Sequence, residues 1–336
     1  MLSKIEAGDR RLDALELFRL SDVTGLPVAH FLFRPPAAVV SRRAAPLTED
    51  TESDASRQAY LLEARLLSWL RDVRQVVDLG TLRPTRLMHL GTSVSGEKSV
   101  RLAAREVRER LDVGHEPLGS LAEVGERLGV YLLADDIPGD GASLTDRDVS
   151  VGVVSTRGEP GRRRATAAHE LGHQLLGDEY SADLGGVGAS RAERERLITA
   201  FVAELLLPRE ALVAVWPTAS GNDEARVAAV ALAARYRVSW TLLLRQAEAA
   251  DVLSQPRSTR WASVPPGRAE LLEAAGWEPR PDLERGQTAP GYSSAVLAAY
   301  RQGMILAGRA VEMLHGQATE EGLPLLDHPD DPDDPA

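Results

Sequence analysis

Ala165-Thr166-Ala167-Ala168-His169-Glu170-Leu171-Gly172-His173-Gln174-Leu175-Leu176-Gly177 is the stretch from which the rest of the chain is read. Alanine leads into it, an apolar face recurs at Leu171, Leu175 and Leu176, and Gly177 supplies a stop, so it reads as a helix. In a helix, positions i and i+4 share a face and stand about 6 Å apart along the axis. His169 and His173 have this spacing, and two imidazoles so related reach one metal ion. Glu170 stands beside them, placed to take a proton from water at that ion. The plainer alternative is an ordinary helix carrying two half-exposed histidines.

Composition narrows the chemistry. The 336 residues include no cysteine. Disulfides, thiolate metal sites and cysteine nucleophiles are therefore excluded, and a firmly held metal has to use His, Asp or Glu. The formal net charge is −11 and aromatic residues make up 4 %, which argues against a broad nucleic-acid surface. Apolar residues at 43 % and charged residues at 26 % are ordinary globular values. At roughly 150 residues per domain, the length suits about two domains. No run of 18 apolar residues occurs, so no membrane span is expected. Met1–Glu6 lacks the apolar core of a signal peptide. With no disulfides either, the expected location is the cytoplasm.

A zinc site that does chemistry needs a third protein ligand and an open position. A helix expected at 190–207 offers Glu193, Glu195 and Glu204. Ser190-Arg191-Ala192-Glu193 has the form of a capping box, which assigns Glu193 to the helix start. Glu204 lies nine residues beyond Glu195 and so on the opposite face. Glu195 shares its face with Ile198, Thr199, Val202 and Leu206. There it is the carboxylate that burial leaves without a partner, a cost that metal ligation removes. The alternative for Glu195 is a first-turn acid interacting with the helix dipole.

The remaining elements are placed around this pair. Residues 1–34 read as short helices broken at Gly25-Leu26-Pro27, and residues 41–57 as a polar linker. The apolar-periodic helix at 58–79, with Leu61, Leu62, Leu66, Leu70 and Val73, suits a packed core or a homodimer contact. Residues 81–96 read as irregular. Two helices follow within 97–128, the second opened by a capping box at Ser120-Leu121-Ala122-Glu123. Branched residues then predict strands at Val130–Leu133 and Val149–Ser155, with Gly139-Asp140-Gly141 marking a turn between them. Helices are expected at 163–176, 190–207, 223–235, 239–250, 268–275 and 292–315. Glu320 to Ala336, with five Asp among four Pro, reads as a disordered acidic tail.

Arg163-Arg164-Ala165-Thr166-Ala167-Ala168-His169-Glu170-Leu171-Gly172-His173, followed by Glu195-Arg196-Leu197-Ile198-Thr199-Ala200-Phe201-Val202-Ala203-Glu204-Leu205-Leu206-Leu207-Pro208, resembles the ImmA/IrrE family of metallopeptidases. The family pattern is a basic residue, a Thr, A-H-E-x-G-H, and then E-x-x-A-N-x-F-A-x-x-L-L-M-P. The resemblance makes His169, His173 and Glu195 the zinc ligands and Glu170 the catalytic base. Ile198 stands where the family has Ala, and Thr199 where it has Asn or Asp. Thr199 can still hydrogen-bond a ligating His, less well than an amide or carboxylate. The sequence does not identify the group that stabilises the oxyanion: Tyr180, His115 and His89 are available, and each is more readily read as an ordinary surface or packed residue.

The resemblance implies a mostly helical α+β fold: a zincin-like metallopeptidase core with a small twisted sheet, flanked by helical N- and C-terminal segments. It also suggests an edge strand beside the metal that takes an extended peptide by strand addition. The substrate it implies is a protein, a transcriptional repressor, cleaved in a stress or mobile-element response. Leu2-Ser3-Lys4-Ile5-Glu6-Ala7-Gly8 resembles the end of the recognition helix in a repressor-type helix-turn-helix. Residues 1–34 are therefore expected to be a remnant of such a domain, residues 35–96 a linker and helix, 97–255 the peptidase domain, 256–319 a helical C-terminal region and 320–336 the tail. Five Lys/Arg balance five Asp/Glu over residues 1–34, so DNA binding by this chain is not expected. Ala233–Ser239 reads as helix, turn and Ser-capped helix, a packing element rather than a DNA contact. Two rivals stand beside the peptidase. One is a helix-turn-helix regulator whose metal senses or stabilises. The other is an interaction module with a closed metal site.

Overall fold

The computed structural model describes residues 5, 10–32, 40–42, 54–90, 96–177, 191–216 and 222–327. Its strands are β1 (Val40–Arg42), β2 (Val130–Asp135), β3 (Gly141–Asp146) and β4 (Val149–Ser155). Before β2 come helices α1 (Ala14–Thr24), α2 (Val28–Leu32), α3 (Asp54–Asp78), α4 (Glu97–Arg110) and α5 (Leu121–Leu128). After β4 come α6 (Pro160–Leu175), α7 (Arg191–Leu206), α8 (Arg209–Val215), α9 (Asn222–Tyr236) and α10 (Trp240–Ala249). The chain then forms α11 (Gln255–Ala262), α12 (Arg268–Ala275), α13 (Pro290–Arg301) and α14 (Ala307–Met313). The fold is α+β and mostly helical, with one small mixed sheet.

The strands lie side by side in the order β1-β3-β4-β2. β3 and β4 are antiparallel, with Gly141 opposite Val154 and Asp146 opposite Val149. β2 runs parallel to β4, with Val130 opposite Ser150. Side-chain alternation divides the sheet into two faces. Tyr131, Leu133, Leu144 and Val151 pack on one face with Trp69 of α3, Val296 of α13 and Met313 of α14. Leu132, Ala134 and Val154 point to the other face, into a larger core shared with Leu171 of α6, Phe201 of α7 and Leu244 of α10. The helix expected at 58–79 is thus a core helix, running from Asp54 to Asp78.

Several elements differ from expectation. β3 stands where a turn was expected to lead directly to the next strand; only Asp136 to Asp140 lie outside the strands, and pairing resumes at Gly141. β3 is also not an edge strand: β1 pairs antiparallel along its outer side, with Val40 opposite Leu144 and Arg42 opposite Ala142. The helix expected over 292–315 is two helices, α13 and α14, because Gly303 adopts a left-handed φ of 68° between them. Short helices α8 and α11 had no counterpart in the sequence reading. Ser120 does not cap α5 with its side chain. Asp282 does so instead, accepting from Leu121 N at 3.0 Å, while Ser120 Oγ donates to the same carboxylate at 3.1 Å.

The C-terminal segment is built into the core. Trp261 and Leu283 belong to the cluster that contains α6 and α7, and α13 and α14 cover the opposite face of the sheet. The first part of the expected tail is ordered: Glu320–Gly322 form a 3-10 turn, and Asp327 N donates to Arg301 O at 2.8 Å. Asp330, Asp331, Asp333 and Asp334 lie outside the described residues. So do residues 1–4 and 6–9, most of the expected linker, Tyr180 and Ser190. At the N-terminus, α1 carries a capping box between Asp13 and Glu16, and His30 of α2 meets Tyr60 of α3 through a 2.5 Å hydrogen bond. Ala233–Ser239 forms the expected helix, turn and capped helix, with Arg237 at a φ of 52° and Ser239 Oγ accepting from Leu242 N.

Candidate metal centre

The sequence leads directly to the helix that presents the histidines. Pro160 occupies the first turn of α6, where its missing N–H has no helical partner to lose. The helix then runs without a break through His173. Arg164, fully buried, anchors its first half: it donates to the Gly119 and Leu118 carbonyls and pairs with Asp282. The second half crosses α7 at Gly172. A Cβ on Gly172 would lie 3.1 Å from Phe201 Cδ1 and 3.3 Å from Ile198 Cγ2. The missing side chain lets the two helices approach closely enough for ligands on both to meet.

His169 and His173 are both buried, with ring centroids 4.7 Å apart. Their Nε2 atoms are 3.0 Å from each other. The Glu195 carboxylate of α7 lies 3.5 Å from His169 Nε2 and 3.9 Å from His173 Nε2. All three ligand atoms fall within 4.8 Å of one another. A tetrahedral ion with ligand bonds of about 2.0–2.1 Å spaces its donors roughly 3.4 Å apart. The observed separations bracket that value, and two imidazoles with one carboxylate is a donor set that zinc accepts. These residues fit a divalent ion of that size.

Glu170 is fully buried and turns toward the sheet, where Ser143 Oγ of β3 donates to its Oε2 at 2.7 Å. Gln174, one turn further along α6, donates to the same Ser143 hydroxyl at 3.1 Å. The His face of α6 therefore looks to α7 and the Glu170 face to β3.

Burial does not single out Glu195, contrary to expectation. Glu195 is about one-third exposed, and the fully buried carboxylate of α7 is Glu204. Glu204 sits apart from the histidine cluster, accepting from Arg105 Nε at 3.4 Å and Gln246 Nε2 at 3.1 Å. Burial raises its pKa, while the Arg105 charge opposes that rise. Glu193 is exposed. Thr199 is exposed too, and its hydroxyl donates to the Glu195 carbonyl at 2.8 Å rather than supporting a histidine. His89 and His115 are exposed. The His115 carbonyl serves as acceptor for Tyr236 OH. Ser143 and Gln174 escaped the sequence reading because β3 was not recognised. The alternation Gly141-Ala142-Ser143-Leu144-Thr145 carried the signal.

No single helix among the described residues is long and apolar enough to cross a membrane. No curated protein matches the chain. Residues 126–247, which run from the end of α5 into α10 and hold His169, Glu170, His173 and Glu195, match the family model Peptidase_M78, described as the IrrE N-terminal-like domain. The expected motif, the donor set that two crossing helices bring together and the matched domain agree: residues 126–247 form a domain similar to the IrrE N-terminal-like metallopeptidase domain, which supports the expected ImmA/IrrE resemblance.

Proposed function

We propose that this chain is a zinc-dependent endopeptidase that cleaves a protein substrate, a transcriptional repressor, in the cytoplasm. One observation carries the reading: His169, His173 and Glu195 converge within a metallopeptidase domain, with the Glu170 carboxylate next to His169 in sequence. His169, His173 and Glu195 would hold the ion. When bound, it supplies Lewis acidity, polarising the scissile carbonyl and making water more acidic.

The protein's own groups do the rest. Glu170 receives the proton of the attacking water on its carboxylate and returns it to the leaving amine. Its burial keeps bulk water from competing for that proton. Glu195, on a separate helix, ties the site to the α6–α7 crossing, so access to the ligands depends on the spacing between those helices. The repressor substrate and the stress context follow from the family resemblance. The acidic net charge of −11 supports a protein partner over a nucleic acid.

Metal analysis of purified wild type beside Glu195→Ala tests the ligand set. Wild type should hold one equivalent and the variant far less; full retention by the variant moves the third ligand elsewhere. Mass-spectrometric profiling against a proteome-derived peptide library tests the activity. Glu170→Gln should keep the metal and lose cleavage. Unchanged cleavage by that variant would remove Glu170 from the role of base.

A further inference from the structure

We infer that Ser143, oriented by Gln174, is a positioning residue for Glu170: it clamps Oε2 of the carboxylate so that the proton is exchanged at Oε1. The inference rests on the peptidase reading and extends it to residues outside the metal cluster.

The sheet face beneath α6 is polar where an apolar filling would be expected. Ser143 and Thr145 of β3 and Ser150 of β4 all lie on it, and Ser143 and Ser150 are buried. A buried hydroxyl under a helix is costly unless it is hydrogen-bonded. Each of these has a partner, and together they form one chain. Ser150 Oγ lies 2.7 Å from Thr145 Oγ1, which lies 2.5 Å from Gln174 Oε1. Gln174 Nε2 lies 3.1 Å from Ser143 Oγ, which lies 2.7 Å from Glu170 Oε2.

The direction of the chain is set from its end. An ionised carboxylate has no hydrogen to give, so Ser143 must donate to it. Having spent its only proton, Ser143 can then only accept, which orients the Gln174 amide with its nitrogen toward Ser143. The amide oxygen in turn requires the Thr145 proton, and Thr145 must accept from Ser150. Every donor points toward Glu170. The hydrogen bond to a charged acceptor is the strong member of such a series, and its neighbours polarise it further.

Glu170 and Gln174 are separated by one helical turn, so both reach Ser143 from the same side of α6. The clamp therefore works from within the helix that presents the metal ligands, and any shift of β3 against α6 is felt at the carboxylate. Without it, the carboxylate samples rotamers that do not face the substrate, and the fraction of productive geometry falls.

The test uses the full chain as Ser143→Ala, Ser143→Thr and Gln174→Glu. Metal content is measured for each, and kinetics are followed on a peptide that wild type cleaves in the library profile. Ser143→Ala should keep its full equivalent of metal, lose about ten- to a hundredfold in kcat, and hold KM within about twofold. Ser143→Thr, which retains the hydroxyl, should recover most of the loss. Gln174→Glu, which offers Ser143 a rival acceptor, should resemble Ser143→Ala. An unchanged kcat, or a change confined to KM, overturns the inference.

A second readout does not depend on turnover. The midpoint of thermal unfolding is compared in wild type, Ser143→Ala, Glu170→Ala and the double variant. Ser143→Ala should lower the midpoint with Glu170 present and barely change it with Glu170 absent. Additive shifts refute the contact itself. Metal-loaded wild type that cleaves no library peptide overturns the peptidase reading and the positioning role with it, while this cycle still reports whether the clamp exists.

Discussion

Replacing Asp282 by Ala removes the counter-charge from the most deeply buried ion pair next to the site. Arg164 and Asp282 are 1 % and 2 % exposed. Burial, reinforced by the neighbouring Arg237 charge, lowers the Arg164 pKa from the usual guanidinium range to about 10, with Asp282 opposing the fall. In the variant, the guanidinium keeps only the carbonyls of Leu118 and Gly119. Breaking a buried pair by removing one partner costs about 3–5 kcal/mol. Asp282 also caps α5 through Leu121 N, a loss of roughly 1 kcal/mol more. The total is about 4–6 kcal/mol, or roughly 6–9 °C in Tm for a chain of this size. Urea unfolding followed by circular dichroism, with calorimetry for Tm, measures it. Arg164→Met combined with Asp282→Leu removes both charges and should cost less than Asp282→Ala alone. A single-variant cost below about 1 kcal/mol, or a double variant equal to the sum of its parts, would refute the assignment of Asp282 as the partner that neutralises Arg164.

Three further outcomes are expected. Gly172→Val, forced against Phe201 and Ile198, should cost about 1–3 kcal/mol by overpacking and weaken metal binding in a chelator competition; unchanged affinity would mean that the α6–α7 spacing does not set the site. Adding a chelator to metal-loaded wild type should remove about 4 kcal/mol of stability when the free metal had stood near a thousand times Kd, and it should leave Glu195→Ala unaffected; a response from that variant would place the metal elsewhere. His315 is buried beside Arg65 and Trp69, and burial lowers its pKa to about 3. A depressed histidine contributes stability that is fully present above the unfolded value near 6.5 and is lost as pH falls through the folded one. The gap between wild type and His315→Phe in urea unfolding should therefore shrink from pH 7 to pH 4. Asp72 is the counterweight: burial raises its pKa to about 6, so its contribution is present below 3.8 and lost as pH rises through 6.

The sequence was most informative where side-chain chemistry and helical period coincide. His169, Glu170 and His173 share one unbroken helix, so four residues of spacing fix their relation before any tertiary contact is known. Glu195 was reached by its face on a second helix and by family resemblance, although the structure gives it a partly exposed position and assigns the burial argument to Glu204. β3 was missed because Gly-Ala-Ser-Leu-Thr-Asp is low in branched residues; its pairing with β4 across the two-residue turn Arg147-Asp148, with Asp146 opposite Val149, makes it a strand. The Asp282 cap could not be foreseen, since it joins positions 161 residues apart and replaces a local cap that Ser120 was fitted to supply. The split between α13 and α14 was visible in Gly303, and the apolar period through Leu306 and Met313 obscured it.

The ladder between β1 and β3 has an outcome of its own. Val40, Ser41 and Arg42 lie against Leu144, Ser143 and Ala142, the stretch of backbone that carries the Glu170 clamp. A visiting polypeptide that seeks the same rail finds it taken by a rival tethered to the same molecule. Such a tether acts at an effective concentration on the order of millimolar, so a guest must outbid three resident residues or dock without them.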